Sequence, residues 1–288
     1  MSDFYTFNNR YFIRGELVLD TPIHIGMGVS LEPVGTDLPV IKTPDGKPYI
    51  PGSSVKGVLR SEFERILRTL GDNGITINGK TVWACNILEE KEKCIFRGEG
   101  SERTRGRSLE KLKEEARKEA EEKGKSEDTL LAEKISENLC TACSLFGSTE
   151  FGSRVYFKDM FLTSGTPIRI EIRDGIAIDR DTGTVKEGFK FDYEIIPKGA
   201  SFGFEMVLEN VEEWELGLIG LLIKLWEKGN IALGGKTSTG LGWGTLRNVI
   251  VKKVDTKNLL DYLVDGKEEE VDLNEIVSDL RNKIKGGS

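Results

Sequence analysis

The carboxylate of Asp37 stands in a long loop between Met27 and Ile50 that carries four prolines and three glycines. A structureless run of that length usually carries function. An acid presented there can reach a phosphodiester, bind a hydrated divalent cation, or orient a 2′-hydroxyl for in-line attack. A carboxylate that only structures its loop is the competing reading. For Asp45, within Pro44-Asp45-Gly46, turn formation is explanation enough. The loop closes at Pro51-Gly52-Ser53-Ser54, where the proline and glycine stop an extended run and either serine can cap the helix that follows. That helix start, with Lys56 and Arg60 within two turns, attracts anions by dipole and by charge; a capped surface helix with solvated basic residues is the plainer alternative.

A second glycine-rich stretch, ALGGKTSTGLGWG (232–244), fails as a nucleotide-binding loop. With Gly235-Lys236-Thr237 fixed, Asn230 stands where the leading glycine must be, and the segment follows a helix rather than a strand. What survives is a loop in which Gly234, Gly235 and their neighbours let the backbone approach an extended polyanion, with Lys236, Ser238 and Thr239 as donors. A glycine-rich turn packed on its own sheet is the alternative.

Cys85, Cys94, Cys140 and Cys143 are the only cysteines. The C-x-x-C pair fits one side of a tetrahedral zinc site, the wider first gap is less usual, and ordinary buried thiols remain open. His24, the single histidine, excludes multi-histidine metal catalysis. It suffices chemically as a base on an RNA 2′-hydroxyl, but at the apolar end of a strand it reads first as a structural histidine.

The elements that must position these residues follow from periodicity. Tyr11 to Ile25 alternates Ile13, Leu17 and Leu19 against Arg14, Glu16 and Asp20, a first strand. Val55, Val58, Leu59, Phe63, Ile66, Leu67 and Leu70 make one helical stripe. Residues 71–150 form a mostly helical, cysteine-containing insertion, rich in Glu-to-Lys pairs and poor in apolar anchors. β signal returns from Arg154, with a hairpin turn at Asp179 to Gly183. A second amphipathic helix spans Glu212 to Lys228 and a last strand Thr245 to Val254. The expected class is α+β, with a ferredoxin-like order over residues 1–254 and an acidic helical tail over 255–288.

Charged residues make up 31% of the chain, a balance that leans thermophilic. The net charge of −7 argues against nucleic-acid binding by bulk charge. The acid is uneven, however: residues 1–70 hold eight acidic and eight basic side chains, residues 255–288 nine and five, so a local basic groove is compatible with it. Neither a secretory pattern at Met1 to Arg10 nor an uninterrupted apolar run of membrane length is present, and a soluble, cytoplasmic protein is expected.

Taken together, TPIHIG (21–26), TDLPVIKTPDGKPYIPGSSVKGVLRS (36–61), CSLFGS (143–148), IRDGIAIDRDTGTVKEGFKFDYEIIPKGASF (172–202) and GGKTSTGLGWG (234–244) resemble the RAMP superfamily of CRISPR-associated proteins. Within it the chain looks like the backbone subunits of type III effector complexes. The resemblance implies an RRM-like (ferredoxin-like) core that holds guide RNA, and a hairpin thumb over 174–192 that wedges into the guide–target duplex. It also implies that Asp37 is the family's catalytic aspartate, cutting target RNA with a divalent Mg or Mn ion. By position, Ser53, Ser54, Lys56, Arg60 and the loop from Gly234 to Gly244 would hold guide phosphates, with Arg180 and Lys190 as thumb contacts. The implied partners are guide and target RNA, other effector subunits and further copies of the same chain, with no membrane. Clustered aromatics on a strand, which would stack bases, are not expected here. A non-catalytic guide-binding subunit and a metal-independent guide-processing endonuclease based on His24 are the alternatives.

Overall fold

The computed structural model describes residues 4–28, 36–101, 105–163 and 168–286. The longer elements are strand β1 (Asn9–Leu19), helix α1 (Gly52–Asp72), helices α2 (Leu109–Lys123), α3 (Glu127–Asn138) and α4 (Thr141–Phe146), and strand β2 (Val155–Phe157). The hairpin strands β3 (Glu171–Ile178) and β4 (Val185–Ile195) come next, then β5 (Ser201–Glu209), α5 (Glu213–Glu227), β6 (Gly244–Asp255), α6 (Leu259–Asp265), β7 (Glu269–Val271) and α7 (Leu273–Gly286). The protein is a mixed α/β chain with seven helices and one main antiparallel sheet among the described residues, in the order β7-β6-β1-β5-β2.

Alternation makes that sheet. Ile13, Leu17 and Leu19 of β1, and Phe202, Phe204, Met206 and Leu208 of β5, point into the core at two-residue steps, while Arg14, Glu16 and Glu205 point away. Between Arg14 and Glu16 the pairing with β6 slips by one residue, Asn248 taking a φ of 53° opposite the close approach of Gly15. On the apolar face lie α1, through Val55, Leu59, Phe63 and Leu67, and α5, through Leu218, Leu222 and Trp226. Each such fully buried side chain contributes about 1.5–3 kcal/mol.

Three local expectations are revised. The first strand stops at Leu19, and residues 23–26 form separate bridges beyond Pro22, which has no N–H to give. Neither Ser53 nor Ser54 caps α1: the helix starts at Gly52, and the Gly52 N–H donates to the Asp159 carboxylate at 2.7 Å. Gly52 lies so close to β2 that a Cβ there would stand 2.6 Å from the Phe157 carbonyl, which brings the following acid within reach.

The third concerns the C-terminal residues. β7 adds an edge strand to β6, with Val251 opposite Val271, and α7 packs on α5 with Leu273, Ile276 and Leu280 buried. The acidic residues occupy the outer side, and an apolar stripe at helical spacing does the docking. Close contact depends on Gly220, where a Cβ would stand 2.7 Å from Val277 Cγ2 and 3.0 Å from Leu273 Cδ1. Gly220→Leu is expected to cost about 1–3 kcal/mol through overpacking, read as a lower midpoint in urea unfolding.

Candidate active site at the hairpin root

Asp37 is exposed, and its bonds run to the hairpin. Its N–H donates to Asp192 Oδ1 at 2.7 Å, and the Asp192 N–H donates to Asp37 Oδ2 at 3.0 Å. The Leu38 N–H donates to the Asp192 carbonyl at 3.2 Å, and the Glu194 N–H to the Leu38 carbonyl at 3.0 Å, so Leu38 pairs in parallel with Tyr193 of β4. The Glu194 carboxylate fixes the next turn of the loop by accepting from the Val40 N–H at 3.0 Å and from Lys42 Nζ at 2.9 Å. Further along, the Thr43 hydroxyl and Lys47 hold exposed Asp45 at about 2, in keeping with a turn-forming acid.

His24 ties this root to the glycine-rich loop. Its Nδ1 lies 2.7 Å from the Glu194 carbonyl, so the proton is assigned to that nitrogen, and its own carbonyl accepts from the Gly235 N–H at 2.9 Å. At 8% exposure it acts as a joint between segments. Gly234, at φ +81°, would put a Cβ 2.3 Å from the His24 carbonyl, so only glycine fits. Lys236 then lays its ammonium over two rings of β4, 4.7 Å from the Phe191 centroid and 4.5 Å from that of Tyr193. This corrects the expectation of no clustered aromatics on a strand. The two-residue spacing of Phe191 and Tyr193 was its sequence signal, although Lys236 and Gly175 already cover much of the pair.

Beyond the root, β3 and β4 pair from Glu171–Ile195 to Ile178–Val185 with a register shift before Lys190. Ile172, Ile176, Ile178, Val185 and Phe189 are 51–62% exposed, an apolar surface on a two-stranded projection. At the turn, backbone N–H groups of Thr182 and Asp181 hold the Asp179 carboxyl low, and Gly183 supplies φ +69°. Arg180 is exposed there, and Lys190 is exposed beside Asp174 at 3.2 Å.

The four cysteines meet. The sulfurs of Cys85, Cys94, Cys140 and Cys143 all lie within 4.8 Å of one another, buried and unbridged by disulfides. Tetrahedral zinc–thiolate bonds of about 2.3 Å place sulfurs roughly 3.8 Å apart, and Cys85 to Cys143 is 3.6 Å. Hydrogen bonds from the Cys140 and Cys143 thiols draw the Cys85 thiol well below its usual range and lower that of Cys94. The Cys143 N–H donates to Cys140 Sγ at 3.4 Å. A closed set of four sulfurs with backbone support could hold a metal, with no position left for substrate.

A sequence model of the RAMP superfamily matches residues 16–245, which include Asp37, the hairpin, the cysteines and the glycine-rich loop. The chain belongs to the RAMP superfamily. Two relatives carry the name "CRISPR system Cms endoribonuclease Csm3". The one from Methanocaldococcus jannaschii is 27% identical over 98% of this chain and 97% of its own length. The one from Methanothermobacter thermautotrophicus is 42% identical over 26% of this chain, an alignment spanning only 31% of that relative. In this RAMP protein α7 lies beyond the matched residues.

The remaining candidates fall into two groups. Ser53, Gly234, Gly235, Ser238 and Thr239 are exposed, and Ser54 is half-buried. Lys56 and Arg60 turn inward. Lys56 Nζ reaches Ser153 Oγ at 3.0 Å, and burial, then Arg60, lowers its pKa. Arg60 bonds Glu64 at 2.8 Å, the Gly147 carbonyl at 2.9 Å and Cys143 Sγ at 3.4 Å, while Arg68 joins Glu64 to the Cys85 carbonyl. The four-residue spacing Arg60-Glu64-Arg68 was the available signal for a stripe that faces the RAMP cysteine cluster.

Proposed function

We propose that this protein is a backbone subunit of a type III CRISPR effector complex that holds guide RNA and cuts complementary target RNA with Asp37. The observation that carries this reading is the reciprocal pairing of Asp37 with Asp192, which stands an exposed acid at the root of an exposed apolar hairpin. The relatives' name, which says endoribonuclease, supports it. We read the sheet order β6-β1-β5-β2, with α1 and α5 on one face, as a ferredoxin-like core, a reading that the strand-helix-strand-strand-helix-strand succession supports.

In the proposed reaction the hairpin unstacks a target nucleotide, freeing its ribose–phosphate for in-line geometry. The 2′-oxygen attacks the adjacent phosphorus as the P–O5′ bond breaks. Asp37 orients and accepts the hydroxyl proton, and the departing 5′-oxygen is protonated from solvent, leaving a cyclic phosphate and a 5′-hydroxyl. A bound Mg or Mn ion would offset charge on the phosphate oxygens, with Asp37 as its protein ligand and RNA supplying the rest. Gly234, Gly235, Lys236, Ser238, Thr239, Ser53 and Ser54 would track guide phosphates, and Arg180 and Lys190 would meet the duplex. Lys56 and Arg60 are left out because their charges are spent internally. A net charge of −7 makes isolated binding weak, so binding within an assembly of effector subunits and copies of this chain is expected. The cysteines fit a structural zinc, their donors being all sulfur and buried.

The test is cleavage of guide-matched RNA by the assembled complex. Asp37→Ala is expected to slow cutting about 10²–10⁴-fold with target binding intact, and a chelator to stop the wild type. Wild-type rates from Asp37→Ala would reduce the protein to a guide-holding subunit.

A further inference from the structure

The Asp37 carboxylate is held from outside its own loop, by a residue 155 positions away. Two acids side by side repel each other, yet here each satisfies the other's backbone: Asp192 Oδ1 accepts from the Asp37 N–H, and the Asp192 N–H restrains Asp37 Oδ2. Among the described residues no further hydrogen bond reaches the Asp37 carboxylate, and the residue is exposed. The register of loop against hairpin is fixed independently, by the Leu38–Tyr193 backbone bridge, by Glu194 on Val40 and Lys42, and by His24 on the Glu194 carbonyl. Loss of the Asp192 side chain therefore spares the hairpin root and the Asp192 N–H bond to Asp37 Oδ2, and removes only the acceptor that fixes the Asp37 N–H.

We infer that Asp192 is the positioning residue for Asp37: its backbone N–H ties the Asp37 carboxylate to the hairpin, and its side-chain oxygen, as a hydrogen-bond acceptor, fixes the Asp37 N–H and so the direction in which the acid is presented. This rests on the nuclease reading above. Placement of the hairpin in a duplex then sets where the acid stands, so cutting is confined to the nucleotide the hairpin has displaced.

The experiment compares single-turnover cleavage, target affinity and the Mg²⁺ midpoint for assembled complexes carrying wild type, Asp192→Ala, Asp192→Asn and Asp37→Ala. Asp192→Ala is expected to cut about 10–100-fold more slowly with unchanged target affinity, as a displaced reacting group does. Asp192→Asn keeps an acceptor oxygen without the charge, and should return to within about threefold of wild type with the same Mg²⁺ midpoint. A wild-type rate from Asp192→Ala overturns the proposal. So does an Asp192→Asn as slow as the alanine variant, because Asp192 would then act through its charge. If Asp37→Ala is inactive while Asp192→Ala is normal, this inference alone falls. Cutting that survives Asp37→Ala takes the nuclease reading with it.

Discussion

If the four cysteines hold a structural zinc, as we propose, exchanging Cys140 for serine is expected to take the protein from one bound zinc per chain to none and to make residues 85–143 the first part cut by protease. Four buried sulfurs within 4.8 Å of one another hold a loop residue (Cys85), a second loop residue (Cys94) and the start of α4 together. The two long helices of the insertion add few anchors, since α2 buries only Leu109, Leu112 and Ala116, and α3 only Leu130 and Ile135. Zinc-finger peptides gain about 10–16 kcal/mol of apparent binding energy from such sites, and a share of that range is at stake here. Elemental analysis and the melting temperature with and without chelator check it. Thiols must lose protons to bind, so metal affinity should fall as pH is lowered. A wild type that holds no metal, with Cys140→Ser costing no more than about 1–2 kcal/mol, would leave the cluster as plain buried thiols.

Arg154→Ala is expected to lower stability by about 3–5 kcal/mol, through a buried charge left without its partner. The Arg154 side chain is 3% exposed and makes a fork with Glu215, with contacts of 2.9 and 2.5 Å. It also reaches the Ser144 carbonyl at 2.8 Å and the Asn210 carbonyl at 2.7 Å. One guanidinium therefore joins α4, the end of β5 and the first turn of α5, where Glu215 also closes a capping box with Glu212. At about 2–4 °C per kcal/mol for a chain of this size, the melting temperature should fall by roughly 6–20 °C. Replacing both partners, Arg154→Met with Glu215→Leu, should cost much less than either single loss, and calorimetry on the set decides it.

Much of the frame was legible because local pattern and tertiary role agree. The three- and four-residue steps from Val55 to Leu67 name the face of α1 that is buried, and the alternation in Ile13 to Leu19 names the inner face of β1. The Asp179 to Gly183 turn carries its own conformational signature. What escaped depends on partners distant in the chain. The cap of α1 comes from Asp159, 107 residues beyond Gly52, so nearby serines were the natural but mistaken choice. Arg60 reads as a surface cation until α4 is placed beside it. The C-x-x-C pair was readable, whereas Cys85 and Cys94 approach it only through the fold. Asp37 was legible as an acid in a glycine- and proline-rich loop, but nothing near it announced Asp192.

The span between those two acids also sets a timetable. Ribosomes add about 5–20 residues per second, so the 155 residues from Asp37 to Asp192 take on the order of ten to thirty seconds to appear. Throughout that interval a nascent chain carries the acid unanchored. A polypeptide terminated before the second arm of the hairpin would bear every residue of the early loop and still lack the partner that ties Asp37 down.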